Sequence, residues 1–199
     1  MPQEHATQIA ALLGSRICHD LISPIGAISN GVELLGLSGT TDNSELSLIS
    51  DSVENANARV KLFRIAFGQA TTGQMTGAAE MRSICKALAT NRLTYDWAVE
   101  DDQPREEVKL ACLMMMCIET AMPRGGVIQV SHHDGQWTVV ARAERLEPDP
   151  ALWARLGAIT EVDTLKPAQV QFILAPLQAN LIGRRIKHGD QDGVLILQA

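Results

Sequence analysis

The chain has 199 residues, 46% hydrophobic and 20% charged, with a formal net charge of -6 and a pI near 5.3. This composition is typical of a globular protein that can build one sizeable core or two small ones. The acidic balance argues against nucleic acid as the main partner, because no basic stripe is available to neutralise phosphates.

Nothing in the sequence predicts export or membrane insertion. The N-terminal residues 1–5 lack the basic start of a signal peptide. The longest apolar run, residues 110–118, is too short to span a bilayer. The four cysteines form no paired framework, which suits a reducing compartment; they are Cys18, Cys85, Cys112 and Cys117. We therefore expect a cytoplasmic protein with no membrane partner.

Apolar residues recur every three or four positions at the start of the chain, which predicts a long amphipathic helix from about Gln3 to Leu35. The pattern predicts one buried stripe, made of Ile9, Leu13, Ile17, Leu21, Ile25, Ile28, Val32 and Leu35. Gly36 is expected to end the helix, and residues 36–41 to make a turn.

A second helix is predicted to begin at a capping box formed by Asp42 and Glu45 and to end at Gly68. Its apolar seam consists of Leu46, Ile49, Val53, Ala56, Val60, Phe63 and Phe67. Two such helices cannot shield all of their apolar surface alone. We therefore predict that residues 1–70 dimerise as an antiparallel four-helix bundle. The alternative is that the hairpin docks onto the second part of the same chain.

Residues 70–77 are expected to form a linker, and residues 78–199 a second domain. Helices are predicted at about 78–90, 105–121, 151–158 and 167–182, and strands at 92–100, 127–133, 136–145, 184–188 and 194–198. Asp134 and Gly135 predict a tight hairpin turn, and residues 189–193 a final loop. The expected fold class is α+β: a helical hairpin, then an α/β sandwich whose mostly antiparallel sheet is covered by helices on one face.

His19 is the most informative residue of the first helix. At about 100° per residue it lies some 200° from both Ile17 and Leu21, so it faces away from the apolar stripe. A neutral imidazole keeps a nucleophilic nitrogen at cytoplasmic pH and can accept and release a phosphoryl group. An outward histidine with small neighbours is therefore a candidate phosphoryl carrier.

The neighbours of His19 suit that chemistry. Asp20 can orient the ring by accepting a proton from its other nitrogen, and Ser23 is a hydrogen-bonding neighbour one turn on. Arg16, one turn back, is expected to meet phosphoryl oxygens. Pro24 removes the amide that would bond to the carbonyl of Asp20, so a bend is expected there. The alternative is a solvent-facing histidine that happens to precede a proline.

Residues 19–24, His-Asp-Leu-Ile-Ser-Pro, resemble the phosphoacceptor box of histidine kinases. The longer string 15–28 is more similar to the ChpT-type histidine phosphotransferases of alphaproteobacteria, as is the turn 122–126. The resemblance implies a dimeric hairpin followed by a kinase-like ATPase domain that has lost its nucleotide. It implies that His19 carries phosphate from the receiver domain of a hybrid kinase to response regulators.

In that relay, Asp20 and Ser23 match the acid and polar positions of the kinase box, and Arg16 matches less closely. A receiver that brings its own magnesium is expected to dock beside His19. The contact surface is expected at exposed Ile22 and at Gly26, with Asn30 on the same helix face.

An ATP site of this fold needs asparagines on the long helix and glycine-rich loops around the phosphates. No asparagine occurs between residues 92 and 179, and the chain contains no Gly-x-Gly. We therefore expect neither ATP binding nor hydrolysis, and no cofactor of the protein's own. Two alternatives stay open: a non-catalytic dimer that sequesters a response regulator or kinase, and an active ATP-dependent kinase.

Other reactive residues make weaker candidates. Cys18 points about 100° away from His19 on a helix, which disfavours a thiol-protease pair. Cys112 and Cys117 are expected in the core, because a zinc site needs two further ligands. A metal site at residues 132–134 is disfavoured. The three tryptophans are expected to pack against the sheet or at its edge.

Overall fold

The structure is a computed structural model and describes residues 3–38, 43–157, 165–191 and 193–199. Two long antiparallel helices, α1 (Gln3–Ser38) and α2 (Asn43–Ala66), form the predicted hairpin. Gly31 lets the helices approach closely, because a Cβ there would lie 2.6 Å from the Ile49 side chain.

The predicted end of the first helix is wrong by three residues. Gly36 lies inside α1 and does not have the positive φ of a helix-ending glycine. Glycine permits a helix end without requiring one. Asp42 of the expected capping box, with residues 39–41 of the expected turn, lies outside the described residues.

In its described residues, the second part contains a five-stranded sheet and four further α-helices. In chain order its elements are β1 (Met75–Thr76), α3 (Ala78–Leu88), β2 (Leu93–Trp97), β3 (Gln103–Pro104), α4 (Arg105–Glu119), β4 (Gly126–His133), β5 (Gln136–Arg142), α5 (Pro150–Trp153), α6 (Gln171–Leu181), β6 (Lys187–Gln191) and β7 (Val194–Gln198). Two 3₁₀ turns, Ala154–Gly157 and Pro167–Gln169, precede α6.

The strand order of the sheet is β2-β4-β5-β7-β6, in which only the β2–β4 pair is parallel. This confirms the α+β fold class and the mostly antiparallel sheet. The predicted linker is partly wrong, because β1 lies within residues 70–77 and pairs with β3 in a separate two-stranded ladder.

The two expected turns have different outcomes. Asp134 and Gly135 have φ values of 50° and 76°, which confirms a two-residue hairpin turn between β4 and β5. The expected 189–193 loop is wrong, because residues 189–191 belong to β6 and pair with β7. Polar residues are tolerated there since β6 is an edge strand with exposed side chains.

The core lies around α4, which packs against strands β4, β5 and β7 and is covered by α6 and α2. Every residue from Leu110 to Ile118 is at most 2% exposed, including Cys112 and Cys117. The tryptophans are also buried, as expected; they are Trp97, Trp137 and Trp153. A helix that is apolar on all sides is stable only when it is surrounded in this way.

The C-terminal half of α2 joins the hairpin to the sheet part. Ala58, Leu62 and Ile65 are buried where α2 packs against α3 and α4. Arg105 Nη2 donates to the carbonyl of Arg64 at 2.7 Å, and Lys109 Nζ donates to that of Gly68 at 2.8 Å. Two cations at a helix C-terminus satisfy free carbonyls and complement its dipole. The alternative of docking within one chain is therefore realised for this half.

One apolar face of the hairpin is not covered within the chain. Ile25 and Val32 of the predicted stripe are 53% and 57% exposed within the single chain. Val53 and Val60 of the α2 seam are exposed as well. Helical periodicity places these residues on one face but does not cover that face. No helix in the described ranges combines the length and the hydropathy that crossing a bilayer requires.

Candidate functional site

The structure places His19 on the outer surface of α1, with 83% of its side chain exposed. Ile17 and Leu21, its neighbours on the apolar stripe, are partly buried. This agrees with the orientation predicted from helical geometry. The helix continues through Pro24, whose ring is buried below the histidine.

Asp20 is the group that orients the imidazole. Its Oδ1 lies 3.1 Å from Nδ1 of His19, and its side chain is only 11% exposed. An ionised carboxylate can only accept a hydrogen bond, so Nδ1 carries the proton in this pair. The lone pair of Nε2 then faces solvent, where a nucleophilic nitrogen is needed.

The other oxygen of Asp20 meets two arginines. Nε of Arg16 donates to Oδ2 at 2.6 Å, and Nη1 of Arg59 lies 3.9 Å from the same oxygen. Nη1 of Arg16 also donates to the carbonyl of Ala168 at 2.8 Å. Arg16 is therefore held beneath the histidine, with 12% of its side chain exposed. Its expected contact with phosphoryl oxygens is not the role its geometry supports.

A groove of about 420 Å³ runs between the two helices beside His19. From α1 it is lined by His19, Asp20, Ser23, Pro24 and Ala27, and from α2 by Asp51, Ser52, Asn55 and Arg59. Ser23 thus lies beside the histidine as expected. Ile22 and Asn30 are exposed and Gly26 is partly exposed, but none of the three lines the groove.

The α2 residues of the groove were missed by sequence reasoning. Asp51, Asn55 and Arg59 are spaced four apart and therefore share one polar helix face. That spacing was the available signal. The apolar seam of the second helix dominates its pattern and masks this polar spacing.

Glu119, the last residue of α4, lies close to this site. Its carboxylate lies near the hydroxyl of Tyr95. Burial raises the pKa of Glu119, while the nearby cations Arg16 and Arg59 oppose that rise. Burial also raises the pKa of Tyr95, and the Glu119 charge adds to this effect.

The remaining candidates form no second site. Cys18 is exposed, whereas the thiols of Cys85, Cys112 and Cys117 are buried. His132 stacks on Trp137 with ring centroids 4.5 Å apart. Across the described ranges, no group of three or more histidine, cysteine or acidic side chains could hold a metal ion.

Residues 78–193 match the family model described as the histidine phosphotransferase C-terminal domain. The chain is 36% identical over 152 residues to the protein phosphotransferase ChpT of Brucella abortus (strain 2308), covering 73% of this chain and 72% of that protein. A solved structure, described as a bacterial phosphotransferase at 1.7 Å, superimposes with a TM-score of 0.79 at 30% identity. That match covers 97% of this chain and 96% of the other.

Proposed function

This chain belongs to the histidine phosphotransferase family, and from that premise we propose that His19 is its phosphoryl carrier. The observation that supports the proposal is the pairing of an exposed imidazole with a buried carboxylate. His19 is open to a partner protein, while Asp20 fixes the proton on Nδ1. His19 would take the phosphoryl group from a receiver-domain aspartate and pass it to a response regulator.

The transfer step needs no cofactor of the chain's own. The Nε2 lone pair attacks the phosphorus of the aspartyl phosphate, and the bond from phosphorus to the carboxylate oxygen breaks. The receiver regains a free carboxylate, and the imidazole becomes a positively charged phosphoimidazole that still carries its Nδ1 proton. Asp20 stabilises that charge through a charge-assisted hydrogen bond. Attack by the carboxylate of a second receiver reverses the step.

We propose that the receiver docks over the groove and the adjacent outer face of α1. Ile22 is 69% exposed and offers an apolar contact on the face of α1 that carries His19. Gly26 and Asn30 follow on the same face and leave room for a close approach. The receiver would bring its own magnesium. The sheet part of this chain can add further contacts to the receiver.

We also propose a homodimer formed through the apolar face of the hairpin, defined here as Leu46, Ile25, Val32, Val53 and Val60. These side chains are between 40% and 57% exposed. The two helices meet at Gly31 and Ile49. With about 100° between successive residues, the apolar face lies on one side of this contact and the groove on the other. A second hairpin can therefore cover them and leave both His19 residues free.

ATP is not the expected phosphoryl donor. The long helix α4 fills its middle with buried apolar side chains, where an ATP site would need asparagines. We expect no label on the protein after incubation with γ-labelled ATP. We further propose that the protein is cytoplasmic, because it would bind its receiver-domain partners there.

The decisive experiment mixes the protein with receiver domains labelled at their aspartate and follows acid-labile, base-stable phosphate on the chain. The wild type should gain label at Nε2 of His19, and H19Q should gain none. The matched control is H5Q, which removes another histidine of α1 and should label normally.

Transfer that is unchanged in H19Q would exclude His19 as the carrier. If H19Q still binds the receiver and downstream phosphorylation is the same with either protein, the chain is a binding module that sequesters its partner.

A further inference from the structure

A cavity of about 480 Å³ opens along the C-terminal half of α6 and is separate from the His19 groove. Three elements line it: the 3₁₀ turn Ala154–Gly157, α6, and the segment that leads from α6 into β6. Arg16 bonds to Ala168 just before α6 begins, whereas the cavity lies toward the other end of this helix. A helix of 11 residues is about 16 Å long, so the two sites are well apart.

The floor of the cavity is apolar. Leu156, Ala179 and Ile186 line it and are 2%, 2% and 6% exposed, so the packed core around them fixes their positions. Gly157 is exposed at the rim, where an added Cβ would meet no atom within 4 Å. A cleft of this size with an apolar floor is typical of a site for a small organic molecule.

The polar side of the cavity is cationic. Arg184, Arg185 and Lys187 line it, and no aspartate or glutamate among the described residues does. Arg184 is already neutralised, because its Nε lies 2.8 Å from Oε2 of Glu107 and its Nη1 donates to two backbone carbonyls. Arg185 and Lys187 are exposed and form no ion pair or side-chain hydrogen bond with any residue that the structure describes. Two uncompensated positive charges therefore border the cavity, in a chain whose net charge is -6.

The end of α6 does not account for these two cations. Cations are common at a helix C-terminus because they can bind its free carbonyls. Backbone amides already occupy those carbonyls in this helix. The amide of Gly183 donates to the carbonyl of Asn180 at 3.2 Å, and that of Arg184 donates to the carbonyl of Ala179 at 2.7 Å. The two cations are therefore available to a ligand.

We propose that this cavity binds a small organic phosphate, an ester that joins a phosphate group to a ring or a short carbon chain. A phosphate monoester carries a charge of about -1.5 to -2 near neutral pH, which matches the two uncompensated cations. Its carbon part would lie on Leu156 and Ile186. Arg185 can hold two phosphate oxygens with parallel hydrogen bonds, and Lys187 adds a point charge. The proposal does not depend on the relay through His19.

The test titrates phenyl phosphate into the full chain, in a buffer without phosphate, and follows the backbone amide signals by ¹H–¹⁵N NMR. The signals of Gly157, Arg185 and Lys187 should shift and saturate. Phenyl phosphate should bind at least about tenfold more tightly than inorganic phosphate, which lacks the ring that would cover the apolar floor. Phenol, which lacks the charge, should not bind.

The double variant R185Q/K187Q should bind phenyl phosphate at least about tenfold more weakly, because both charge-assisted contacts are lost. The matched control is K86Q/R92Q, which removes two exposed cations elsewhere in the sheet part and changes the net charge equally. This control should bind as tightly as the wild type.

A second variant tests the cavity by its shape. G157L adds a side chain at the rim, where the structure leaves space for it. It should block phenyl phosphate while the midpoint of thermal unfolding stays close to that of the wild type. Its charge is unchanged, so a loss of binding would come from occupied space alone.

The proposal would be overturned if phenyl phosphate did not bind the wild type, or bound R185Q/K187Q equally well. Equal affinity for inorganic phosphate would exclude an organic ester. Shifts at Ser52 and Asn55 instead would place the ligand in the His19 groove and overturn the proposal too. Weaker receiver binding by R185Q/K187Q, without any binding of phenyl phosphate, would assign the cavity to a protein partner and exclude a small ligand. Phosphoryl transfer through His19 is tested separately by H19Q.

Discussion

Asp20 connects the exposed imidazole to the buried charges beneath it, since one oxygen meets Nδ1 of His19 and the other meets Arg16 and Arg59. The low exposure of Asp20 strengthens these contacts, because a charge shielded from water is less screened. At the scale of single residues, the reactivity of His19 thus depends on a neighbour that no partner can easily touch.

Replacing Asp20 by Asn should slow phosphorylation of His19 by at least about tenfold, because a hydrogen bond to a charged group contributes roughly 1.5–3 kcal/mol. The measurement is the initial rate of label transfer from a phosphorylated receiver. D51N removes an exposed carboxylate on the opposite wall of the groove and serves as the control. Equal loss of rate in D20N and D51N would argue for a general effect of groove charge.

A thiol reagent should distinguish the one exposed cysteine from the three buried ones. Burial raises the pKa of the Cys85 thiol to about 12, helped by the Asp96 charge, and it also raises those of Cys112 and Cys117. Cys18 is exposed. A thiol reagent should therefore modify at most one cysteine in the native protein and four in denaturant. Rapid modification of any thiol in native C18S would show that the core opens.

At the scale of elements, the hairpin has two faces with different chemistry. The groove side is polar, and the apolar face is open along both helices. Charged substitutions at exposed positions disturb association more than folding, since they meet water within the single chain and a neighbour only in a dimer. The apolar face can thus be tested without damaging the fold.

Val53→Asp together with Val60→Asp should convert the dimer to a monomer in sedimentation or light-scattering measurements, with little loss of helix content. Two like charges per hairpin would face their symmetry mates across the interface, where burial of an unpaired charge is costly. N30D adds a charge on the opposite, exposed face of α1 and should remain dimeric. A monomeric wild type, or a dimeric double variant, would contradict the proposed interface.

At the scale of the whole molecule, the boundary between the hairpin and the sheet part combines apolar packing with charged hydrogen bonds. Apolar side chains of α2 pack on α3 and α4, and cations of α4 bind the carbonyls at the end of α2. Such a boundary combines hydrophobic burial with directional contacts. The two parts are therefore held in one arrangement rather than merely joined by a linker.

This boundary predicts a pH effect on stability. The pKa of Glu119 in the folded protein is raised from its ordinary value of 4.5, chiefly by burial. The folded state consequently holds this proton more tightly than the unfolded state. Through Glu119, the free energy of unfolding is largest below that value and declines as pH rises through the raised folded-state pKa.

Chemical unfolding at fixed protein concentration should detect this effect as a difference between wild type and E119Q. The wild type should lose stability relative to E119Q as pH rises above 4.5 toward neutrality, because E119Q has no proton to release. A difference that is constant with pH would show that Glu119 titrates in the same way in both states.

The sequence by itself determined the two long helices, the turn at Asp134 and Gly135, and the outward direction of His19. A period of 3.6 residues fixes which side chains share a helix face, and a positive φ fixes which residues can turn. Only the tertiary structure decided that Ile25 and Val32 are not covered within the chain, that residues 189–191 extend an edge strand, and that Arg16 reaches Ala168, 152 positions away. Periodicity records the direction of a side chain, whereas a partner from another element is set by how the elements pack.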